Sequence, residues 1–166
     1  SEWKLTYRHG FDFESNSSYE IRVKVRDQFN SWMKQDFTVS ILDEDEGAEP
    51  SLGDGSRKDP YQIETLSNLK WLSLNKSFWR EKYFIQTRDI NASETRRWED
   101  GLGFSPIGNH EVDQFSGSYD GQNHTISGLF INRPNQNDCG LFGETSSDAK
   151  ITNLSVLRGF VKGRKN

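Results

Sequence analysis

Residues 115–129 read Phe-Ser-Gly-Ser-Tyr-Asp-Gly-Gln-Asn-His-Thr-Ile-Ser-Gly-Leu, a turn followed by strand-forming residues. Tyr119, Asp120 and Gly121 carry the turn signal, because Asp supplies a local acceptor and Gly tolerates positive φ. Thr125 to Ile131 then predict one strand, with Ile126, Leu129 and Ile131 directed inward. The same spacing returns at Ile151, Leu154 and Val156, each set off from its counterpart by the same stretch of chain. A period of about 20–50 residues marks stacked units, each too small to bury its own apolar face. With no long helix between the strands, the repeat predicts a parallel β-solenoid in which Ile126 and Ile151 occupy equivalent places in successive coils.

Composition agrees with a thin core. The chain has 166 residues, of which 32% are hydrophobic. Adding glycine gives about 40%, below the roughly 45–50% usual in compact domains. Eleven Phe, five Trp and five Tyr argue against overall disorder. The net charge of −4 comes from 21 basic and 25 acidic residues and lacks the clustered Lys and Arg of a nucleic-acid binder. Lys162, Arg164 and Lys165 read as a solvated end. No stretch approaches the roughly 20 apolar residues of a membrane span, so no membrane insertion is expected. No signal peptide is visible, and the chain starts and stops as though cut from something longer. The single Cys139 excludes an internal disulfide framework. Its place before Gly-Leu-Phe-Gly suits a small packing residue, and no His-bearing motif accompanies it as a reactive thiol would require.

Residues 1–46 read as β. Tyr19, Ile21, Val23 and Val25 alternate with Glu20, Arg22 and Lys24, and Phe37, Val39 and Ile41 alternate again. Two such strands joined by the polar Asp27–Ser31 segment predict an antiparallel hairpin at the end of a β-sandwich. Asp43, Glu44, Asp45, Glu46 and Glu49 follow. Two readings stay open for them. They form a solvated, self-repelling linker, or they gather the oxygen ligands that calcium takes in numbers of about 6–8.

Phe11-Asp12-Phe13-Glu14, Ser18-Tyr19-Glu20-Ile21-Arg22-Val23-Lys24-Val25-Arg26-Asp27 and Asp43-Glu44-Asp45-Glu46-Gly47 together resemble the C-terminal part of a cadherin-type repeat, over about residues 11–50. The resemblance implies that Asp12, Glu14, Asp43, Asp45 and Glu46 meet at one end of a sandwich as calcium ligands. Asp27 would lie at the opposite end and serve a different site. Asp45 and Gly47 depart from the asparagines usual in that family, which removes a neutral oxygen ligand. A whole repeat needs about seven strands in roughly 100 residues, so only its last two or three are expected here. A lone hairpin is marginal in water and its edges are open. The segment is therefore expected to pack on the second region, to pair with another copy, or to be poorly ordered.

Residues 47–58 are an acidic and Gly-rich linker. In 59–166, Pro60–Ile63 predict a strand. Leu66, Leu69, Trp71, Leu72 and Leu74 predict a short amphipathic helix with Thr65 or Ser67 as N-cap. Such a helix would cover the open end of the first coil, although a partner-binding helix has the same pattern. Lys82–Ile90 predict a further strand. Residues 91–109 predict a long loop, which Trp98 and Phe104 either pin to the coil or turn outward as a glycan-facing surface.

Asp59-Pro60-Tyr61-Gln62-Ile63, Tyr83–Ser93, Phe104-Ser105-Pro106-Ile107-Gly108, Phe115–Gly121, Gly140-Leu141-Phe142-Gly143 and Ile151-Thr152-Asn153-Leu154 form a series. Over residues 53–163 that series resembles the N-terminal cap and first coils of a bacterial surface β-solenoid with GLUG-type repeats. Gln122-Asn123 replaces the family's Asn-Gly, a change the turn survives because Asn tolerates positive φ. The fold class expected is thus mainly all-β: a partial antiparallel β-sandwich hairpin, then a right-handed parallel β-solenoid with a short capping helix.

The resemblances imply a secreted or cell-surface, non-catalytic structural or adhesive module, calcium-stiffened, whose partners are neighbouring modules and a cell-surface or matrix glycan or protein. The alternative is the N-terminal part of a carbohydrate-active lyase or hydrolase, or a glycan-binding module. Catalysis would need paired carboxylates, or calcium with a basic residue, on one groove. Asp89, Asp113, Asp120, His124 and Arg133 are the candidates, but Asp120 reads better as a turn residue. His110-Glu111 with His124 makes no recognised metal-ligand spacing. Thr125 and Thr152 are too few for a flat Thr ladder. The end at Asn166 leaves a last coil uncovered, so edge-to-edge self-association is expected.

Overall fold

The computed structural model describes residues 18–26, 29, 31–40, 47–109 and 114–164. The chain divides into two compact units, residues 1–45 and 46–166. The described residues are mainly β, with one antiparallel hairpin and three parallel sheets.

In the first unit, β1 (Ser18–Arg26) and β2 (Trp32–Ser40) pair antiparallel from Ser18↔Ser40 to Arg26↔Trp32. Strand alternation sorts the two faces. Tyr19, Ile21, Val23 and Val25 share one with Val39, Phe37, Gln35 and Met33, while Glu20, Arg22, Lys24 and Arg26 share the other with Thr38, Asp36, Lys34 and Trp32. Across the strands the Arg22 guanidinium donates to both oxygens of Asp36, at 2.6 and 2.9 Å. That bond holds the Asp36 carboxyl below its usual range and raises the guanidinium. Both groups are exposed, so the pair specifies register more than it stabilises.

In the second unit, chain order runs β3 (Tyr61–Ile63), α1 (Leu66–Leu74), β4 (Tyr83–Gln86), β5 (Ile90–Asn91), β6 (Ser118–Asp120), β7 (Thr125–Ser127), β8 (Phe130–Asn132), β9 (Lys150–Thr152), β10 (Ser155–Leu157) and β11 (Phe160–Lys162). These strands all pair in parallel, in sheets ordered β3-β4-β6-β9, β5-β7-β10 and β8-β11. Parallel neighbours need a crossover between them. Here the crossover from β6 to β9 carries β7 and β8, so the chain visits the three sheets in turn before returning to the first.

The predicted single strand over Thr125–Ile131 is two strands, β7 and β8, broken at Gly128 with φ of 72°. The circuit is also longer than the sequence pattern implies. Tyr119 lies opposite Ile151, Ile126 opposite Val156 and Ile131 opposite Val161. The expected offset would have set Ile126 opposite Ile151 and Ile131 opposite Val156. Ile126-Leu129-Ile131 spans the β7–β8 corner, whereas Ile151-Leu154-Val156 spans the β9–β10 corner. The matching spacings therefore describe two different corners. Each corner needs an inward residue on either side of a left-handed one, so the local pattern recurs without marking a full circuit.

Tyr119, Ile126, Leu129 and Ile131 are fully buried and join one cluster with Ile63, Phe84 and Ile90. Tyr119 donates its hydroxyl to Gln86 Oε1 at 3.2 Å, and burial raises its pKa. In the outer strands the corresponding side chains stay open: Ile151 is 37% exposed, Val156 42% and Val161 51%.

Helix α1 begins where the sequence places it. Thr65 is extended, its Oγ1 accepts the Asn68 amide at 3.1 Å, and Asn68 Oδ1 accepts the Thr65 amide at 3.1 Å. This reciprocal arrangement satisfies two amides that a helix end leaves orphaned. Leu69, Trp71 and Leu72 enter the same cluster as Ile63 and Phe84. Trp79 Nε1 then donates to the Leu72 carbonyl at 2.7 Å and closes the helix onto the next segment.

Candidate functional site

In the connection from β5 to β6, the described residues up to Asn109 are held down. They include two 3-10 turns, Ser93–Arg97 and Glu99–Gly101. Phe104 is fully buried, Trp98 packs against the cluster, and their ring centroids lie 6.3 Å apart. The Lys70 ammonium sits 4.5 Å from the Trp98 ring centroid. The pinning reading thus describes these two aromatics. Gly103, at φ of 81°, lets the chain pass Phe130: a Cβ there would lie 2.2 Å from the Phe130 carbonyl oxygen.

Arg133 completes this fastening. Its Nε donates to the Phe104 carbonyl at 3.1 Å, and its Nη2 donates to the Gly103 carbonyl at 2.9 Å and to Glu99 Oε2 at 2.7 Å. The side chain is 10% exposed and engaged by these three acceptors. It holds the loop and presents no free charge to a ligand.

The other nominated polar residues sit at corners. Asp89 Oδ1 accepts the Thr125 amide at 2.8 Å and lies 3.3 Å from His124 Nδ1. The Thr125 amide is the main cause, ahead of His124, of an Asp89 carboxyl held below its ordinary range. A carboxylate so bonded stays ionised and does not serve as a neutral acid. Asp120 Oδ1 accepts the Gln122 amide and Asn153 Nδ2, both at 2.9 Å. It is a turn residue that also ties the β6–β7 corner to the β9–β10 corner. Gln122 and Asn123 both adopt left-handed conformations, with φ of 47° and 64°, in the turn between β6 and β7.

Asp113, His110 and Glu111 lie outside the described residues, as do the nominated calcium ligands Asp12, Glu14, Asp27, Asp43, Asp45 and Glu46. Among the described residues no group of three or more His, Cys, Asp or Glu side chains could hold a metal ion. The Cys139 thiol lies 3.4 Å from the Gln136 carbonyl oxygen, and burial is the main cause raising its pKa. The shift favours the protonated thiol over the nucleophilic thiolate.

Sequence reasoning missed two polar features. Gln86 is fully buried, and its Nε2 donates to the carbonyls of Arg88 and Thr125 at 2.8 and 3.2 Å. A polar side chain inside an apolar stack leaves no periodic signal. A groove of about 360 Å³ also runs past the starts of β4, β6 and β9. Gly117 and Ser118 line it together with Glu81, Lys82, Asp148 and Lys150. Two cations and two carboxylates leave it formally neutral. Among the described residues no helix is long and apolar enough to cross a membrane.

No family profile and no solved structure matches the chain. Two curated proteins resemble part of it. A protein named halomucin from Haloquadratum walsbyi is 39% identical over 115 residues, which take in 67% of this chain and 1% of that protein. A putative Gly-rich membrane protein from Evansella cellulosilytica is 32% identical over 110 residues, 66% of this chain and 12% of the other. The chain therefore spans only a small part of the relatives it matches.

Proposed function

We propose that this chain is a non-catalytic structural or adhesive module of a large secreted or cell-surface protein. In this reading residues 59–166 are the capped start of a right-handed parallel β-solenoid, and residues 1–46 are the cadherin-like segment their sequence resembles, with 47–58 as linker. The observation that carries it is the stepwise advance of three parallel ladders, in which Tyr119, Ile126 and Ile131 lie opposite Ile151, Val156 and Val161. Such stacking gives length and stiffness from short strands. Right-handedness follows from the strong preference of parallel crossovers. The relatives' names, a halomucin and a membrane protein, support a surface setting.

The absence of catalysis is argued from Asp89, Asp120 and Arg133, whose polar atoms hold corners and a loop. Neighbouring modules, or a second copy, are the partners proposed for the outer edges of β9, β10 and β11. Calcium remains proposed from sequence alone, through Asp12, Glu14, Asp43, Asp45 and Glu46 at one end and Asp27 at the other. Calorimetric titration of the full chain tests it. Uptake that disappears in Asp43→Asn/Asp45→Asn supports calcium, and a flat titration removes it.

The module reading is tested by labelling intact source cells, and their medium, with antibody against residues 59–166. Signal without lysis is expected, and signal confined to lysed cells contradicts a surface role. A parallel screen on plant and algal glycans should yield no cleavage products; shortened glycan chains would replace the module by the enzyme.

A further inference from the structure

We propose that the polar face of the β1–β2 hairpin binds an acidic polysaccharide, a glycan carrying carboxylate or sulfate groups. This proposal takes its kind of partner from the adhesive reading above, but its residues lie on the hairpin alone. The face is built from directly opposed pairs. Glu20 faces Thr38, Arg22 faces Asp36, Lys24 faces Lys34, and Arg26 faces Trp32. In the Arg22–Asp36 pair both Asp36 oxygens are engaged by the guanidinium. The Lys24–Lys34 pair sets two ammonium groups directly opposite each other, an arrangement that destabilises a hairpin. Among the described residues neither the Lys24 nor the Lys34 side chain has a hydrogen-bond or ion-pair partner. An anion seated between the two ammonium groups would relieve that repulsion.

Trp32 supplies the rest. It is 58% exposed, with the Arg26 guanidinium 5.3 Å from its ring centroid. Lys24, Trp32 and Lys34 line a shallow depression of about 260 Å³. An open indole offers a flat apolar face with a polar rim, which suits the C–H face of a sugar ring. Lys24 and Lys34 then stand as flexible point charges for acid groups on that ring or its neighbours. With Glu20 on the same face, four cations meet two carboxylates, a local excess of two positive charges on a chain of net charge −4. Duplex nucleic acid, with one charge per about 1.7 Å, needs more cations than the excess of two on this face supplies.

The test uses the full chain in affinity electrophoresis through gels holding alginate, dextran sulfate or neutral dextran. Retardation by alginate alone assigns a carboxylate ligand, by dextran sulfate alone a sulfated one, and by both a general acidic glycan. Dextran should not retard the chain. Affinity should fall steeply between low salt and about 0.15 M, as exposed charges require. Lys34→Glu gives Lys24 an opposite charge across the strands, so it should leave the melting temperature unchanged or raised while weakening retention at least tenfold. Trp32→Ala should weaken it about fivefold or more, and Lys24→Gln about threefold. The proposal is overturned by no retardation in either acidic gel, by equal retardation in dextran, by unchanged retention of Lys34→Glu and Lys24→Gln, or by equally strong binding of single-stranded DNA. None of these results bears on the stacking of β3 to β11, which is measured separately.

Discussion

Asn153 and Arg158 turn corners in left-handed conformations, with φ of 50° and 54°. Gly128 turns the equivalent β7–β8 corner at φ of 72°. A side chain at such a position costs about 1–2 kcal/mol, whereas introducing glycine loosens the unfolded chain by about 0.4–1 kcal/mol. Arg158→Gly should therefore be neutral to stabilising by up to about 1 kcal/mol, read as a higher melting temperature; a clear fall would show that Arg158 holds its corner through its side chain. Asp89 gives a pH signature at the same scale. Its folded pKa is depressed below the ordinary 3.8, chiefly by the Thr125 amide. Its contribution is complete well above that ordinary value and is lost as pH falls through the lowered folded one. Urea midpoints should separate the native chain from Asp89→Asn at neutral pH and converge at strongly acidic pH; a gap that persists in acid would remove the charge from the argument.

At the level of elements, α1 depends on two short side chains. Thr65→Ala removes the cap bond and should cost about 1 kcal/mol. Asn68 does more, because its Oδ1 accepts the amides of Glu64 and Thr65 and its Nδ2 donates to the Ala48 carbonyl at 2.8 Å. Asn68→Ala should cost more than Thr65→Ala, by roughly 1–3 kcal/mol for the buried groups left unpaired, and urea melts of the two variants would rank them. The helix was legible because a cap residue precedes Leu at helical spacing, and the hairpin because strict alternation has one geometric meaning. The β7–β8 break was not, since a glycine between strand-forming residues reads equally well as part of one strand. Circuit length was hidden too. The corner between Asp120 and Thr125 is longer than the one between Thr152 and Ser155, so the offset between opposed residues shortens from one ladder to the next. A pattern search at constant period cannot follow such a change. Among the candidate polar residues, Asp120 was legible as a turn. The engagement of Arg133 with Gly103 and Phe104 was not, because their meeting depends on how the loop packs.

Across the second unit, burial declines from inner to outer strands. Ile126 is fully buried, whereas Val156, its partner on the neighbouring parallel strand, is 42% exposed. Ile126→Ala should cost about 2–5 kcal/mol and Val156→Ala distinctly less, as judged by chemical unfolding; equal losses would mean that the outer coil is covered in solution. The stacking itself is decided by which strands lie side by side. Solution NMR on uniformly labelled protein reads this from cross-strand contacts between backbone protons. Contacts linking Thr125 with Ser155, Phe130 with Phe160 and Ser118 with Lys150 are expected. Contacts linking Thr125 with Lys150, the pairing that the bare sequence pattern would set, or none between these strands, would contradict the coil.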